Sequence, residues 1–522
     1  MPRKGEEHLF YIMLFSAMII YVVFFSWLSI LQYQSFFSFS SDSLAQSNNI
    51  LWHTVSGRTF YNSIGEGILD SHPVFFYIFI APIYKLFPHI FTLFILVHGI
   101  LALGIFPIYW ISREKFNSEF IAIVYSFTYL LFNPLHHLSF VSHKPLISFS
   151  TTFILFIFYY FYKKHMMKFI IFSILAMMCR DEVGFLICIF AVLAFVKKMP
   201  LRWKIIPILL GGGYVYIVWN IIMPSLGRLS HSNPYIWNLF GENPQKYSFM
   251  QLLFYRREEI INKLFAFSNF QLLIKLFDPK IFFVSLFAPE VLLLGLPVLA
   301  SVQVAQEKYF LTLDSFHHIA YLVPLIFLGA IFGICRIVAL LYNKNILPRR
   351  ITLKILFFIF GSQFLIWTLF SNFGDNIIFS PSGIYRDEKI ADERFVFVRN
   401  MYNPIFYRQD EKDKMAWEFI RLIPSNVSVS TSQTYLAALS SRDDIYHFGC
   451  IREINDRDGH DFETEYIFLN KKDDYHGFGG VEISHERTMH QLSNVLKIGN
   501  HKIVKENGEF ILLMKKQNNL KE

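Results

Sequence analysis

Five stretches of this chain, residues 9–31, 91–111, 205–224, 319–341 and 351–370, are apolar around most of the helical circumference rather than along one stripe. A helix in water needs a polar face and a helix in lipid does not; each run approaches the roughly 20 residues that cross a bilayer. Composition agrees, with 54% hydrophobic, 18% aromatic and only 17% charged residues in 522. The expected fold is an α-helical polytopic membrane protein of about ten to a dozen membrane segments. The first run is too long for a cleaved signal and lacks a small-residue cleavage site, so it reads as a retained span.

A formal charge of +8 raises nucleic acid as a partner. The Lys and Arg residues, however, are spread along the chain, largely as short pairs beside apolar blocks, where they act as topology signals; no nucleic acid is expected. Of the four cysteines, Cys179, Cys188 and Cys335 lie in apolar segments and Cys450 stands alone, so neither a disulfide framework nor a metal spacing can be built.

Arg3 and Lys4 hold the N-terminus inside, which makes residues 32–71 an outer loop. Arg113 with Lys115, Lys163 with Lys164, Lys197 and Lys198 with Arg202, and Lys344 with Arg349 and Arg350 mark the cytoplasmic side. Two segments must then enter and leave on one side: 73–88 as an interfacial or re-entrant helix, and 281–304, broken at Pro289 and Pro297, as a short hairpin. This layout gathers the polar residues outside, so any chemistry is expected to face outward. Arg336, within 319–341, is the charge it does not place. After Asn372 the long apolar runs stop, dividing the chain into a membrane domain, 1–371, and a small extracytoplasmic α/β domain, 372–522. In the latter the pattern predicts helices over 412–423, 432–440 and 488–496, strands over 427–430, 445–448 and 466–469, and a terminal hairpin over 501–515 turning at Asn507-Gly508.

Three groups of residues could carry chemistry. Arg180, Asp181 and Glu182 interrupt an apolar stretch, 169–196, that is too long for one span and too short for two, which predicts two short helices meeting at a charged turn. Arg180 there either holds a phosphate or merely pairs with a carboxylate to cap the turn. Asp42, just beyond the first span, is either a general base or an N-cap for the helix that follows. His136, His137 and His143, like His317 and His318, lack the spacing and supporting carboxylate of a metal site, so no metal is assigned, a divalent ion being the minor alternative. Lys144 adds positive potential for an anionic headgroup, and His98 reads as a core histidine.

Read in order, these residues resemble a family of predicted prokaryotic membrane proteins, domain of unknown function number 2079, itself similar to the GT-C glycosyltransferase superfamily. The resemblance rests on the Asp42 loop with NNILWHTVSGRTF at 48–60, HPVFFYIFIAPIYKLFP at 72–88, CRDEVG at 179–184, HIAYLVP at 318–324 and IPSNVSVS at 423–430. It implies a GT-C-like fold and transfer of a sugar from a polyprenyl-phosphate donor to a lipid, glycan or protein acceptor on the outer face of the cytoplasmic (inner) membrane of a prokaryote. It also implies Asp42 as the catalytic base and Arg58, Lys144 and Arg180 as donor phosphate ligands, with Asp70, His72, Asp181, Glu182, His317 and His318 in support. The chain departs from the pattern twice. The paired acids of many GT-C loops are reduced to Asp42, and Arg180 stands where the family motif usually has lysine. A lipid or solute transporter or flippase, and a non-catalytic envelope-assembly scaffold, are the alternative functions. No cofactor is expected.

Overall fold

In the computed structural model the apolar runs are helices. The structure describes residues 4–36, 41–64, 73–140, 145–225, 251, 254–265, 282–304, 319–343, 353–373, 404–448, 463–472 and 485–516. The first eleven helices are α1 (Lys4–Gln34), α2 (Ser41–Val55), α3 (Tyr77–Leu86), α4 (Ile90–Leu103), α5 (Ile105–Phe116), α6 (Glu119–Leu130), α7 (Asn133–Phe140), α8 (Pro145–Tyr162), α9 (Met166–Cys179), α10 (Val183–Val196) and α11 (Leu201–Ile217). Among the described residues, His8–Gln34, Ile90–Phe116, Leu201–Ser225 and Ala320–Asn343 are long and apolar enough to cross a membrane, and the fifth run lies in the helix Leu353–Phe373. Much of the remaining apolar sequence goes into shorter helices. Ile12, Ile20 and Val23 of α1 and Leu209 of α11 are exposed, the surface a lipid solvent accepts and water would not.

The irregular elements fall where the sequence places them. α3 has ten residues, about 15 Å of helix, which is half of a hydrocarbon core. The apolar stretch 169–196 divides into α9 and α10 around residues 180–182. Residues 282–304 break into a 3-10 turn, Phe282–Phe287, and short helical pieces at Pro289–Leu292, Leu293–Gly295 and Leu296–Val304. Arg336 finds its place here: its guanidinium donates to the Phe287 carbonyl at 2.9 Å and pairs with Glu290 at 2.7 Å, satisfying backbone that the break leaves open. A second break, at Gly104, is repaired in the same way. Thr152 Oγ1 donates to the Ile100 carbonyl at 2.7 Å and Tyr129 Oη to that of Leu101 at 3.1 Å.

The chain forms two compact units. One comprises Met1–Phe25, Leu69–Phe76 and Ile95–Tyr402, and the other Ser26–Ile68, Tyr77–Phe94 and Asn403–Glu522. In the first, basic groups expected on one face of the membrane share one end of the helices: Lys163 pairs with Glu114, and Lys115 lies over the rings of Tyr162 and Phe332, at 4.8 and 4.3 Å.

The second unit contains a five-stranded sheet in the order β2-β1-β3-β5-β4: β1 (Val429–Thr431), β2 (Ile445–His447), β3 (Tyr466–Asn470), β4 (His501–Asn507) and β5 (Phe510–Lys515). β1 pairs in parallel with β2 and β3; β5 is antiparallel to β3 and β4. Side chains alternate across a strand. Ile467 and Leu469 of β3 therefore pack with Leu492 and Val495 of the helix His485–Ile498, while Phe468 meets Phe419 and Tyr435 from the helices Glu411–Ile420 and Gln433–Leu439 on the other face. Helices on both faces explain why β3 is an almost unbroken apolar run. The hairpin turns at Asn507-Gly508, where Gly508 takes φ +56° as such a turn requires.

Candidate functional site

The charged turn belongs to the first unit. Arg180 is extended, at φ −162° and ψ 125°, so it ends α9, and its N–H donates to the Ala176 carbonyl at 3.2 Å. α10 begins at Val183. The cation thus lies at the C-terminal end of one helix dipole and the two acids at the N-terminal end of the next, each where the dipole favours it. All three are shielded: Asp181 is 0% and Arg180 5% exposed, and the Glu182 side chain is 13% exposed. Arg180 Nε lies 3.5 Å from Glu182 Oε2, a loose pair, and the indole N–H of Trp219 donates to Asp181 Oδ2.

Two glycines allow this. A Cβ on Gly184 would stand 2.6 Å from Val215 Cγ2 and 2.8 Å from the Gly211 carbonyl, and one on Gly211 would stand 2.3 Å from the Gly184 carbonyl. α11 therefore approaches α10 at contact distance, as small residues permit between membrane helices, and brings Trp219 to Asp181. Each of α9 and α10 has 14 residues, about 21 Å of rise from its basic end to the turn. That falls short of a hydrocarbon core of roughly 30 Å, and ionisable groups within such a core are costly.

The helix bearing Asp42 belongs to the second unit. Asp42 is the second residue of α2, and its side chain lies outside the described residues. Six residues on, Asn48 and Asn49, both 0% exposed, form a polar hub. Asn49 Nδ2 donates to the carbonyls of Ser440 (3.1 Å) and Arg442 (2.9 Å), and its Oδ1 accepts from Ser63 N (2.9 Å) and Ser63 Oγ (3.2 Å). Asn48 Nδ2 donates to the hydroxyls of Ser440 and Ser441, at 2.8 and 2.9 Å, and its Oδ1 accepts from Tyr84 Oη at 2.8 Å. Tyr77 Oη donates to Ser47 Oγ at 3.0 Å. Ahead of Asp42, the Gln34 carbonyl accepts from Trp417 Nε1 at 2.8 Å and Gln409 Nε2 at 2.9 Å. Asp42 is thus bracketed by two stretches that the C-terminal part of the chain grips.

Arg58 pairs with Asp443 at 2.6 Å and lies 5.7 Å from the Tyr61 ring centre; Trp52 Nε1 donates to Asp443 at 3.0 Å. Beneath them His53 is buried, and burial, then the charge of Arg58, hold its imidazole below its usual pKa. Lys144, Asp70, His72, His317 and His318, with His143 and Cys450, lie outside the described residues, as does the side chain of His137. His136 is buried, its ring nitrogen 2.7 Å from the Leu130 carbonyl, and it shares with His98 the rings of Tyr21 and Phe25. Among the described residues no three His, Cys, Asp or Glu side chains could hold a metal ion together.

Sequence reasoning missed Asn48, Asn49 and Trp219. Two adjacent amides amid Leu and Ile on an amphipathic helix are a signal for the first two. For Trp219 the only local hint is the run of Gly211, Gly212 and Gly213 upstream of it.

A family model described as predicted membrane protein (DUF2079) matches residues 44–512; Asp42 lies just ahead of that match. No curated protein matches the chain. Among solved structures, the crystal structure of ArnT from Cupriavidus metallidurans bound to undecaprenyl phosphate is similar at 10% identity, with a TM-score of 0.49, over 99% of this chain and 99% of that one.

Proposed function

The chain belongs to the DUF2079 family of predicted membrane proteins, and from that premise we propose that it is a GT-C-type glycosyltransferase, moving a sugar from a polyprenyl-phosphate donor to a lipid, glycan or protein acceptor. The observation that carries the reading is the buried turn of Arg180, Asp181 and Glu182. A buried guanidinium at a turn between two apolar helices suits the phosphate of a donor whose polyprenyl chain lies among apolar helices. Arg58 and Lys144 are the further phosphate ligands of this reading, and Arg58 serves only by leaving Asp443. Asp70, His72, Asp181, Glu182, His317 and His318 support the site. Asp42 is the base that takes the acceptor's proton as the sugar carbon is attacked and the lipid phosphate leaves. The phosphate is itself the leaving group, so the reading requires no nucleotide site. In this reading the C-terminal domain and the site face the outside of the cytoplasmic membrane.

The test is Asp42→Asn in the full-length protein, assayed with a panel of undecaprenyl-phosphate sugars. Asparagine keeps the size of the side chain and removes its charge and its basicity. Expression and thermal stability should persist while transfer falls by roughly two orders of magnitude or more, as for loss of a general base. Full transfer by a folded Asp42→Asn protein removes Asp42 from the mechanism.

A further inference from the structure

One side chain touching the charged turn is not part of its sequence motif. Trp219 is the second residue of a π-helical turn, Val218–Ile222, in which the Met223 N–H donates to the Val218 carbonyl five residues back. A π turn admits one residue more than an α-helix does, and it persists where something gained outside the helix offsets its poorer hydrogen bonds. Here the candidate gain is the contact of the indole N–H with the fully buried Asp181 carboxylate. The tryptophan is itself fixed: it is 8% exposed, its ring stands edge-on to Phe185 at 5.4 Å, and it packs with Val215, Val218 and Met223 under Phe75. The other side of the turn is pinned by the Phe76 N–H, which donates to the Met178 carbonyl at 3.1 Å. The turn is clamped from both sides.

We propose that Trp219 is a positioning residue for anion binding at Arg180. By holding Asp181 it fixes the backbone of residues 180–182, and so sets where the guanidinium points and keeps the Asp181 carboxylate turned toward α11 rather than toward an arriving phosphate. This rests on the reading of Arg180 as the donor's phosphate ligand. The role needs the N–H and not only the ring, because it is the N–H that meets the carboxylate, and a charge-assisted hydrogen bond fixes direction as ring packing does not.

The test uses the full-length protein in lipid nanodiscs with undecaprenyl phosphate as the probe, and binding is measured for wild type, Trp219→Phe, Arg180→Ala and the double variant. Trp219→Phe keeps an aromatic ring against Phe185 and removes the donor. Expected are a loss of affinity of about tenfold for Trp219→Phe, at least as much for Arg180→Ala, and no further loss in the double variant, since one residue acts through the other. Additive losses, or a Trp219→Phe protein that binds like wild type while Arg180→Ala does not, overturn the positioning role. Unchanged affinity in Arg180→Ala overturns the phosphate reading itself. Should Trp219→Phe not fold, Phe185→Leu removes the ring that holds the indole edge-on while leaving its N–H, and should weaken probe binding about threefold. Wild-type affinity in a folded Phe185→Leu protein overturns the proposal, because the indole would then not need to be held.

Discussion

The turn at 180–182 and the hub at Asn48 and Asn49 are both polar clusters sealed from solvent, yet they solve burial in opposite ways. The hub is neutral and saturated. Asn49 makes two donor and two acceptor bonds, the full capacity of an amide, to partners on two stretches of chain. A saturated neutral network specifies one arrangement and has nothing left to offer a ligand. The turn is charged, with Arg180 Nε 3.5 Å from Glu182 Oε2. Burying charge is costly, and charged groups persist in membranes mainly where a function uses them. The hub, in this view, is architecture, and the turn is machinery.

The largest effect expected from testing this contrast is in the hub. Asn49→Ala leaves the carbonyls of Ser440 and Arg442 and the N–H of Ser63 buried with a lost partner, at about 1–3 kcal/mol each. Destabilisation of roughly 3 kcal/mol or more is expected, seen as a lower melting temperature in detergent and faster proteolysis between residues 403 and 522. A variant that melts like wild type would show that the hub is not what holds α2 to the C-terminal part of the chain.

Next in size is Gly184→Ala. Its Cβ would meet a backbone oxygen 2.8 Å away, which no rotamer change relieves, so overpacking of about 1–3 kcal/mol is expected, together with weaker undecaprenyl phosphate binding as α11 and Trp219 are pushed off the turn. Lost stability with unaltered binding would separate the close helix contact from the site.

Much of this was legible in the sequence, for local reasons. The α9–α10 break follows from three charges inside an apolar stretch of intermediate length, and the terminal hairpin from Asn507-Gly508 between alternating segments. What escaped depends on partners far along the chain. Asn48 meets Ser440 across 392 residues, and Arg336 could not be placed until Glu290, 46 residues before it, appeared beside the broken segment. The π turn escaped for another reason: no local propensity distinguishes it from the helix it interrupts, and its contact with Asp181, in the turn between α9 and α10, is what gives it a purpose.

The smallest effect belongs to Arg58, and it bears on whether the machinery is confined to the turn. Arg58 and Asp443 are 44% and 58% exposed, and a pair so open to solvent contributes about 0.2–1 kcal/mol after screening. Asp443 also keeps the indole of Trp52 as a donor when Arg58 is gone. Arg58→Ala should therefore shift the melting temperature by only a degree or two. For donor phosphate, the guanidinium would first have to leave its carboxylate, and what it gains from the phosphate is offset by what it gives up; a loss of undecaprenyl phosphate affinity of no more than about threefold is expected, well below that of Arg180→Ala. A tenfold loss with unchanged stability would mean that Arg58 abandons Asp443 when the donor binds. Arg58 would then belong to the machinery, and the division into architecture and machinery would have to be redrawn to include the residues that follow α2.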